Sequence, residues 1–496
     1  MGSKMRSWSE RWRGILAADF FYRLIITAFV IEALWIAFSA RYPMAFDENY
    51  HFGLIQLYSH QLSPFFRHEP AGASILGDVT RYPSYLFHYL LSFLYRLIEV
   101  ITKNTADQIV ALRIVNVFLF ASGLALWKKV FRCLGVSGAL GNVVLVVLIL
   151  LPQIPFLAGQ INYDNLLFPL TALSLLLTAQ VANALKAVRV DAAKLLWLII
   201  LALLTSLVKY TFLPIMAGLA IYLGAQWWRQ RRTLAKSLKN SWTKIALPVK
   251  MLLITALILS GGLFIERYGY NVARYHELVP DCGRVIGTDP CLDYGPWARN
   301  FHYAAQKTTG FNGNPLKFTG VWAWRMWQQP FFVIRQDYAT GSAFLLPEIT
   351  AGLIFSGGLV ALLVFGRRLA ARRPHFSLLL VVVGTDVAAL WLLNFAEYHG
   401  LQQYTAIQAR YLFPIFPALL LLLGWAITEA VKKRHWQAGL ALVVILLLLQ
   451  GGGVINYMSS TNPSWWWPKS AAVRANQTAQ AIIKPFLIER LTVKAR

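Results

Sequence analysis

Asp47 and Glu48 stand side by side in Ala45-Phe46-Asp47-Glu48-Asn49-Tyr50-His51, in a chain whose 496 residues include only 22 acidic ones. They follow the first long apolar run by a few residues. A carboxylate at such a half-desolvated boundary suits a general base that takes a proton from a hydroxyl. Asp47 is equally placed to cap a helix running through Tyr50 and Leu54, and the two roles are compatible. His51 follows Asp47 at a spacing that puts both on one face of a helix. A divalent metal between them stays open beside a plain hydrogen-bonded histidine, since no cysteine, second histidine or third carboxylate lies close by in sequence.

A second acidic group, Asp164 in Tyr163-Asp164-Asn165, opens another apolar run after Gly159-Gln160-Ile161-Asn162. It caps that helix or faces the same side as Asp47. Lys209 is the one cation between two apolar runs in Leu207-Val208-Lys209-Tyr210-Thr211. Arg113, in Leu112-Arg113-Ile114-Val115-Asn116, and Arg410, in Gln408-Ala409-Arg410-Tyr411-Leu412-Phe413-Pro414, head further runs. A cation so placed holds a phosphate or snorkels to lipid headgroups.

The elements that must position these residues are membrane helices. Mean hydropathy is +0.51 and 57% of residues are hydrophobic, above the roughly 45–50% of soluble domains. The net charge of +25 sits in short segments between apolar runs, which is topology and not a nucleic-acid footprint. Basic residues Lys4, Arg6, Arg11 and Arg13 precede an apolar stretch from Leu24 to Arg41 with no small-x-small cleavage pattern, so an uncleaved first helix is expected.

The expected fold class is an all-α polytopic membrane protein. By apolar length, about eleven transmembrane helices lie near 24–40, 109–127, 139–157, 165–185, 195–208, 210–226, 250–266, 348–366, 376–395, 411–430 and 438–455. Residues 85–100 carry His88, Arg96 and Glu99 and are read as an interfacial helix on the outer face. That choice puts the basic segments after 127, 185, 226, 366 and 430 inside, together with the N-terminus, and the C-terminus outside. The expected divisions are a transmembrane catalytic module over 1–266 with its first outer loop at 42–108, a long outer segment at 267–347, further transmembrane helices over 348–455 and an outer tail at 456–496. Trp322, Trp324 and Trp327, and Trp465, Trp466 and Trp467, read as an interfacial belt or as a platform for a sugar or prenyl chain. Three cysteines exclude a Cys-rich framework; Cys282 and Cys291 form a disulfide if their segment meets an oxidising face, and otherwise stay as thiols.

The order of these motifs resembles the superfamily of multi-spanning glycosyltransferases that use polyprenyl-phosphate sugars, the GT-C fold. The nearest pattern is that of protein O-mannosyltransferases and bacterial aminoarabinose transferases acting on lipid A. The Asp47-Glu48 pair after helix one, Tyr82-Pro83-Ser84-Tyr85, Arg113, Asp164 and Lys209 match in order over about the first 230 residues. Val208 and Tyr210 replace the Thr and Gly that usually flank the family's Lys. The resemblance implies an inverting transfer from a polyprenyl-phosphate-linked sugar donor to an exofacial glycan, lipid or protein in a bacterial inner membrane, among membrane lipids and with no nucleic acid. Asp47 would be the base, supported by Glu48. Lys209, Arg113 and Arg410 would hold the departing phosphate, Asp164 would orient acceptor or sugar, and Tyr163 and His51 would line the substrate. No metal is required. A transporter or flippase of lipid-linked sugars and a noncatalytic scaffold are the rival readings.

Overall fold

The computed structural model describes residues 2–45, 47–333, 342–451, 466–468, 471–483, 485 and 492–494. Among them, six helices are long and apolar enough to cross a membrane: Asp19–Ser39, Thr105–Cys133, Asp164–Lys186, Leu247–Tyr275, Ile349–Arg372 and Phe376–Leu401. Gly138–Ile149, Ala192–Val208, Phe416–Ala430 and His435–Leu446 are apolar but shorter, and Leu213–Arg229 completes the series. Six of the expected eleven are thus long enough by themselves among the described residues. Local breaks account for several of the others. The 139–157 run stops at Ile149 and resumes as a short helix, Gln153–Ala158, around Pro152. Pro214 and Pro417 start the helices after Lys209 and Arg410, each behind a 3₁₀ turn. Proline is at home in a first helical turn, where its missing N–H costs nothing.

Helix Asp164–Lys186 is the centre of the bundle, 67% buried over its most apolar stretch, against 11% for Leu247–Tyr275 and for Ile349–Arg372. Leu252, Ile258, Leu259, Leu353, Leu363 and Val364 point outward from the last two. Apolar surface on that scale needs an apolar solvent, so these helices fit an integral membrane protein. The expected run 250–266 extends further, through a π turn at Ile265–Gly269 into Tyr270–Tyr275.

The first loop folds into two helices, Glu48–Ser59 and Leu86–Ile101. The second buries Phe87, His88, Leu91 and Tyr95 and exposes Leu90, Phe93, Leu97, Val100 and Ile101. Its outer face is thus apolar, as a helix lying along a membrane surface requires. Fully buried Arg267 clamps the loop, donating to Thr80 O and lying 4.6 Å from the Tyr85 ring.

Basic connections meet at one end of the bundle. Arg132 pairs with Asp19 at 2.8 Å, Lys186 donates to Pro374 O at 2.6 Å and Arg372 pairs with Glu429 at 3.0 Å. At the opposite end, helix Pro315–Gln328 packs on Phe376–Leu401, where buried Trp322 donates to Asn394 Oδ1 at 3.0 Å and Trp324 stays exposed. Short strands Phe332–Val333, Ser342–Phe344 and Thr492–Lys494 form an antiparallel sheet. Residues 334–341, the expected helix beyond Gly451, Trp465 and most of the 456–496 tail lie outside the described residues. Trp467 N–H donates to Ser39 O at 3.0 Å, returning the tail to the first span.

Candidate active site

Four charged residues from distant parts of the chain converge at the end opposite the basic connections. Asp47 precedes Glu48–Ser59 with φ +68°, a left-handed conformation that an aspartate tolerates better than most side chains. It does not cap the helix by its side chain. Its Oδ2 instead accepts from Arg410 Nη2 at 2.9 Å; the aspartate side chain is 46% exposed and the arginine 3%. Arg410 sits in the 3₁₀ turn Ala409–Leu412, a bend that lets its side chain leave the helix line.

Beside them, Lys209 Nζ donates to Asp164 Oδ1 at 2.6 Å, and both side chains are buried. Lys209 lies 4.3 Å from the Tyr163 ring and 4.8 Å from that of Tyr411, the neighbour of Arg410. The cap at the start of Asp164–Lys186 is supplied not by Asp164 but by Asn162, whose Oδ1 accepts from Asp164 N–H at 2.9 Å. That releases the Asp164 carboxylate for Lys209, and its Oδ2 is buried without a hydrogen-bond donor. Lys209 does not snorkel to headgroups. Burial lowers its pKa to about 8, with Asp164 opposing the shift and Arg410 adding to it.

Glu48 and Arg113 form a separate, wholly buried unit. Arg113 Nε and Nη2 each donate to a Glu48 oxygen at 2.7 Å, and Nη1 donates to Ala37 O and Ala40 O at 3.1 and 2.6 Å. Met44 N–H and Ile161 N–H also donate to Glu48, at 2.7 and 3.2 Å. A phosphate contact by Arg113 would have to break this bidentate pair, and the Glu48 carboxylate meets only protein. Together the two fasten the first loop to helix Thr105–Cys133 and to the Ile161 turn. Asn116 reinforces that turn: its Oδ1 accepts from Asn162 N–H at 3.2 Å and from Asn165 Nδ2 at 3.0 Å.

His51 turns away from Asp47. Its Nδ1 lies 2.8 Å from His88 Nε2, with the rings 5.2 Å apart and stacked. Burial holds both imidazoles neutral, moving His51 well below its usual range and His88 to about 3. The His51 ring also packs edge-on to Tyr163 at 4.5 Å. The pair stiffens the floor under Tyr163. Among the described residues no three His, Cys, Asp or Glu side chains gather as a metal set.

Tyrosines line the remaining walls: Tyr50 and Tyr294 at 6.0 Å, Tyr82 and Tyr210 at 6.0 Å, with Tyr163 and Tyr411 around Lys209. Burial raises the hydroxyls of Tyr50, Tyr82 and Tyr163 well above their ordinary range, so they stay protonated donors. Tyr294 comes from the 267–347 segment. A Cys282–Cys291 disulfide with Sγ–Sγ 2.02 Å precedes it, and Asp293 Oδ2 accepts from Ser74 Oγ at 2.7 Å. Its ring covers Gly77, where φ is +72° and an added Cβ would come 3.0 Å from Tyr294 Cδ1. Sequence reasoning did not select Tyr50, Tyr82, Tyr294, His88 or Asn162 as site residues. A signal for part of the set was present, because Tyr163-Asp164, Lys209-Tyr210 and Arg410-Tyr411 each join a charge to a tyrosine.

No family model and no curated protein matches the chain. Among solved structures it is similar to the apo oligosaccharyltransferase of Archaeoglobus fulgidus, with a TM-score of 0.43 and 12% identity. The similarity covers 95% of this chain and 60% of that one, so the chain spans about three fifths of the length of that structure.

Proposed function

We propose that the chain is a membrane glycosyltransferase of GT-C type, moving a sugar from a polyprenyl-phosphate carrier to an exofacial hydroxyl or amine. The observation that carries this reading is the convergence of Asp47, Asp164, Lys209 and Arg410 in one tyrosine-lined site at the end away from the basic connections. Two cations, each paired to a carboxylate, are poised for an exchange of partners. An incoming phosphate takes Lys209 and Arg410, and Asp47 and Asp164 are released toward the acceptor. Asp47 then removes the acceptor proton, the new bond forms at the anomeric carbon with inversion, and the bond to the phosphate oxygen breaks. The phosphate leaves as a stable anion, held by the cations without a general acid. Asp164 orients the acceptor or sugar, and the tyrosine rings and hydroxyls give the sugar stacking surfaces and donors. Glu48 and Arg113 act by positioning Asp47. No step runs through a metal.

The deciding experiment is deletion of the gene in its source organism, followed by mass spectrometry of the lipid fraction. A single lipid-linked sugar should accumulate and disappear on complementation; an unchanged profile of lipid-linked sugars would remove the reading. The same reading puts the site on the outer face of a bacterial inner membrane with the N-terminus in the cytoplasm. A topology reporter inserted at residue 105, between the apolar-faced helix Leu86–Ile101 and the span Thr105–Cys133, should report outside. A cytoplasmic signal there would reverse the orientation.

Lys209 gives a pH dependence with a definite sign. Its ammonium form persists below a pKa of about 8, so carrier binding should be steady below pH 8 and weaken above it, by at most ~tenfold per pH unit. Because that value lies below the ordinary 10.5, the unfolded chain binds more protons between the two, and this group makes folding more favourable as pH rises through that window. Lost binding above pH 8 is therefore separable from unfolding at Lys209. A binding curve flat to pH 10 would take Lys209 off the phosphate.

A further inference from the structure

The basic end of the bundle holds a charge that sugar transfer does not use. Lys128, 6% exposed, lies near the end of helix Thr105–Cys133. Its Nζ donates to Asn142 Oδ1 at 2.5 Å and sits 4.7 Å from the Tyr22 ring, so its hydrogen-bond partner is neutral. Arg132, on the next turn, is 62% exposed and pairs with Asp19 at 2.8 Å. Lys128, Arg132 and Asp19 line a cavity of about 290 Å³ against Ser137 and Gly138. There the helix Gly138–Ile149 begins, capped by Ser137 Oγ on Leu140 N–H at 3.4 Å, and the positive end of its dipole makes that end a favourable place for an anion.

A second cavity, of about 390 Å³, shares Ala17, Ser137 and Gly138 with the first and continues along Arg13 and Gly14 of the N-terminal helix Gly2–Ala17. No atom lies within 4 Å of where a Gly14 Cβ would stand, so the glycine leaves that wall open. Ile15 on this helix, and Phe20 and Leu24 on the next helix Asp19–Ser39, are exposed and apolar. Across both cavities Arg13, Lys128 and Arg132 face Glu10 and Asp19, three cations against two acids. Asp19 is taken by Arg132, and Lys128 is the buried cation left without a carboxylate.

We propose that these two neighbouring cavities bind an anionic phospholipid. Its phosphodiester sits against Lys128, Arg132 and the first turn of Gly138–Ile149, and its acyl chains run down the apolar flank at Phe20 and Leu24. A free phosphate shares the headgroup chemistry but would leave the second cavity and the flank unused. The site lies at the other end of the bundle from Asp47 and stands or falls independently of sugar transfer.

The test uses the full chain in detergent with equimolar phosphatidylglycerol and phosphatidylethanolamine, with retained lipid counted by native mass spectrometry. The intact protein should favour phosphatidylglycerol by ~tenfold or more, the scale of one charge-assisted hydrogen bond. Lys128→Met combined with Arg132→Gln should abolish the preference, whereas Lys433→Gln, in another basic connection, should leave it. Should the double variant not fold, Arg132→Gln alone replaces an exposed side chain and should still reduce the preference measurably. Equal retention of both lipids by the intact protein would overturn the proposal, as would a preference that survives loss of these cations. Displacement of the lipid by millimolar inorganic phosphate would also overturn it, reassigning the site to free phosphate.

Discussion

Replacing Asp47 by Asn should lower sugar transfer by ~10²–10⁴-fold, the usual contribution of a general base, and leave the carrier bound. The amide keeps the size of the carboxylate and cannot take the proton. It also frees Arg410 from its 2.9 Å ion pair, so carrier affinity should hold or improve. Lys209→Ala should do the opposite: removal of a buried ammonium that the phosphate needs weakens carrier binding and slows transfer together, and it strands Asp164 without its 2.6 Å partner. Both variants are measured in nanodiscs with the accumulated lipid-linked sugar as donor, following binding and transfer separately. A folded Asp47→Asn protein with near-normal transfer would show that Asp47 serves only to hold Arg410.

The largest effect on stability is expected at Arg113. Arg113→Ala leaves the Glu48 carboxylate fully buried beside two backbone N–H donors but with no counter-charge. Breaking a buried pair from one side costs about 3–5 kcal/mol. Removing both charges with Glu48→Leu and Arg113→Met should recover a good part of that, because no uncompensated charge then remains. Thermal unfolding of the three variants in one detergent gives the comparison. If Arg113→Ala unfolds like the unaltered protein and loses only carrier affinity, Arg113 is a phosphate ligand and the positioning role is wrong.

The residue types were readable: scarce acids and isolated cations at the ends of apolar runs are costly beside a membrane, and Asp47, Glu48, Arg113, Asp164, Lys209 and Arg410 all stand out for that reason. Their pairing was not readable, since Asp47 and Arg410 are 363 positions apart and Lys209 and Asp164 are 45 apart. From the sequence, Glu48 looked like an adjunct to Asp47 because the two are neighbours. In space they diverge, because the left-handed turn at Asp47 and the helix start at Glu48 send successive side chains to Arg410 and to Arg113.

By itself the sequence determined the solvent and the scaffold. Apolar length and the placement of Lys and Arg are local properties, and they gave the order of the apolar helices, the basic end and the half-buried helix over 85–100. Helix lengths depended also on Pro152, Pro214 and Pro417, whose effect on each run was settled by the packing around it. Only the tertiary structure decided which charges neutralise one another. A buried ion pair is selected by the desolvation of both partners and by the hydrogen bonds around them, and neither quantity exists until helices far apart in sequence have closed on each other. The same holds for Tyr294, which reaches the site because a disulfide-tied segment lays its ring over a glycine that has no Cβ to meet it.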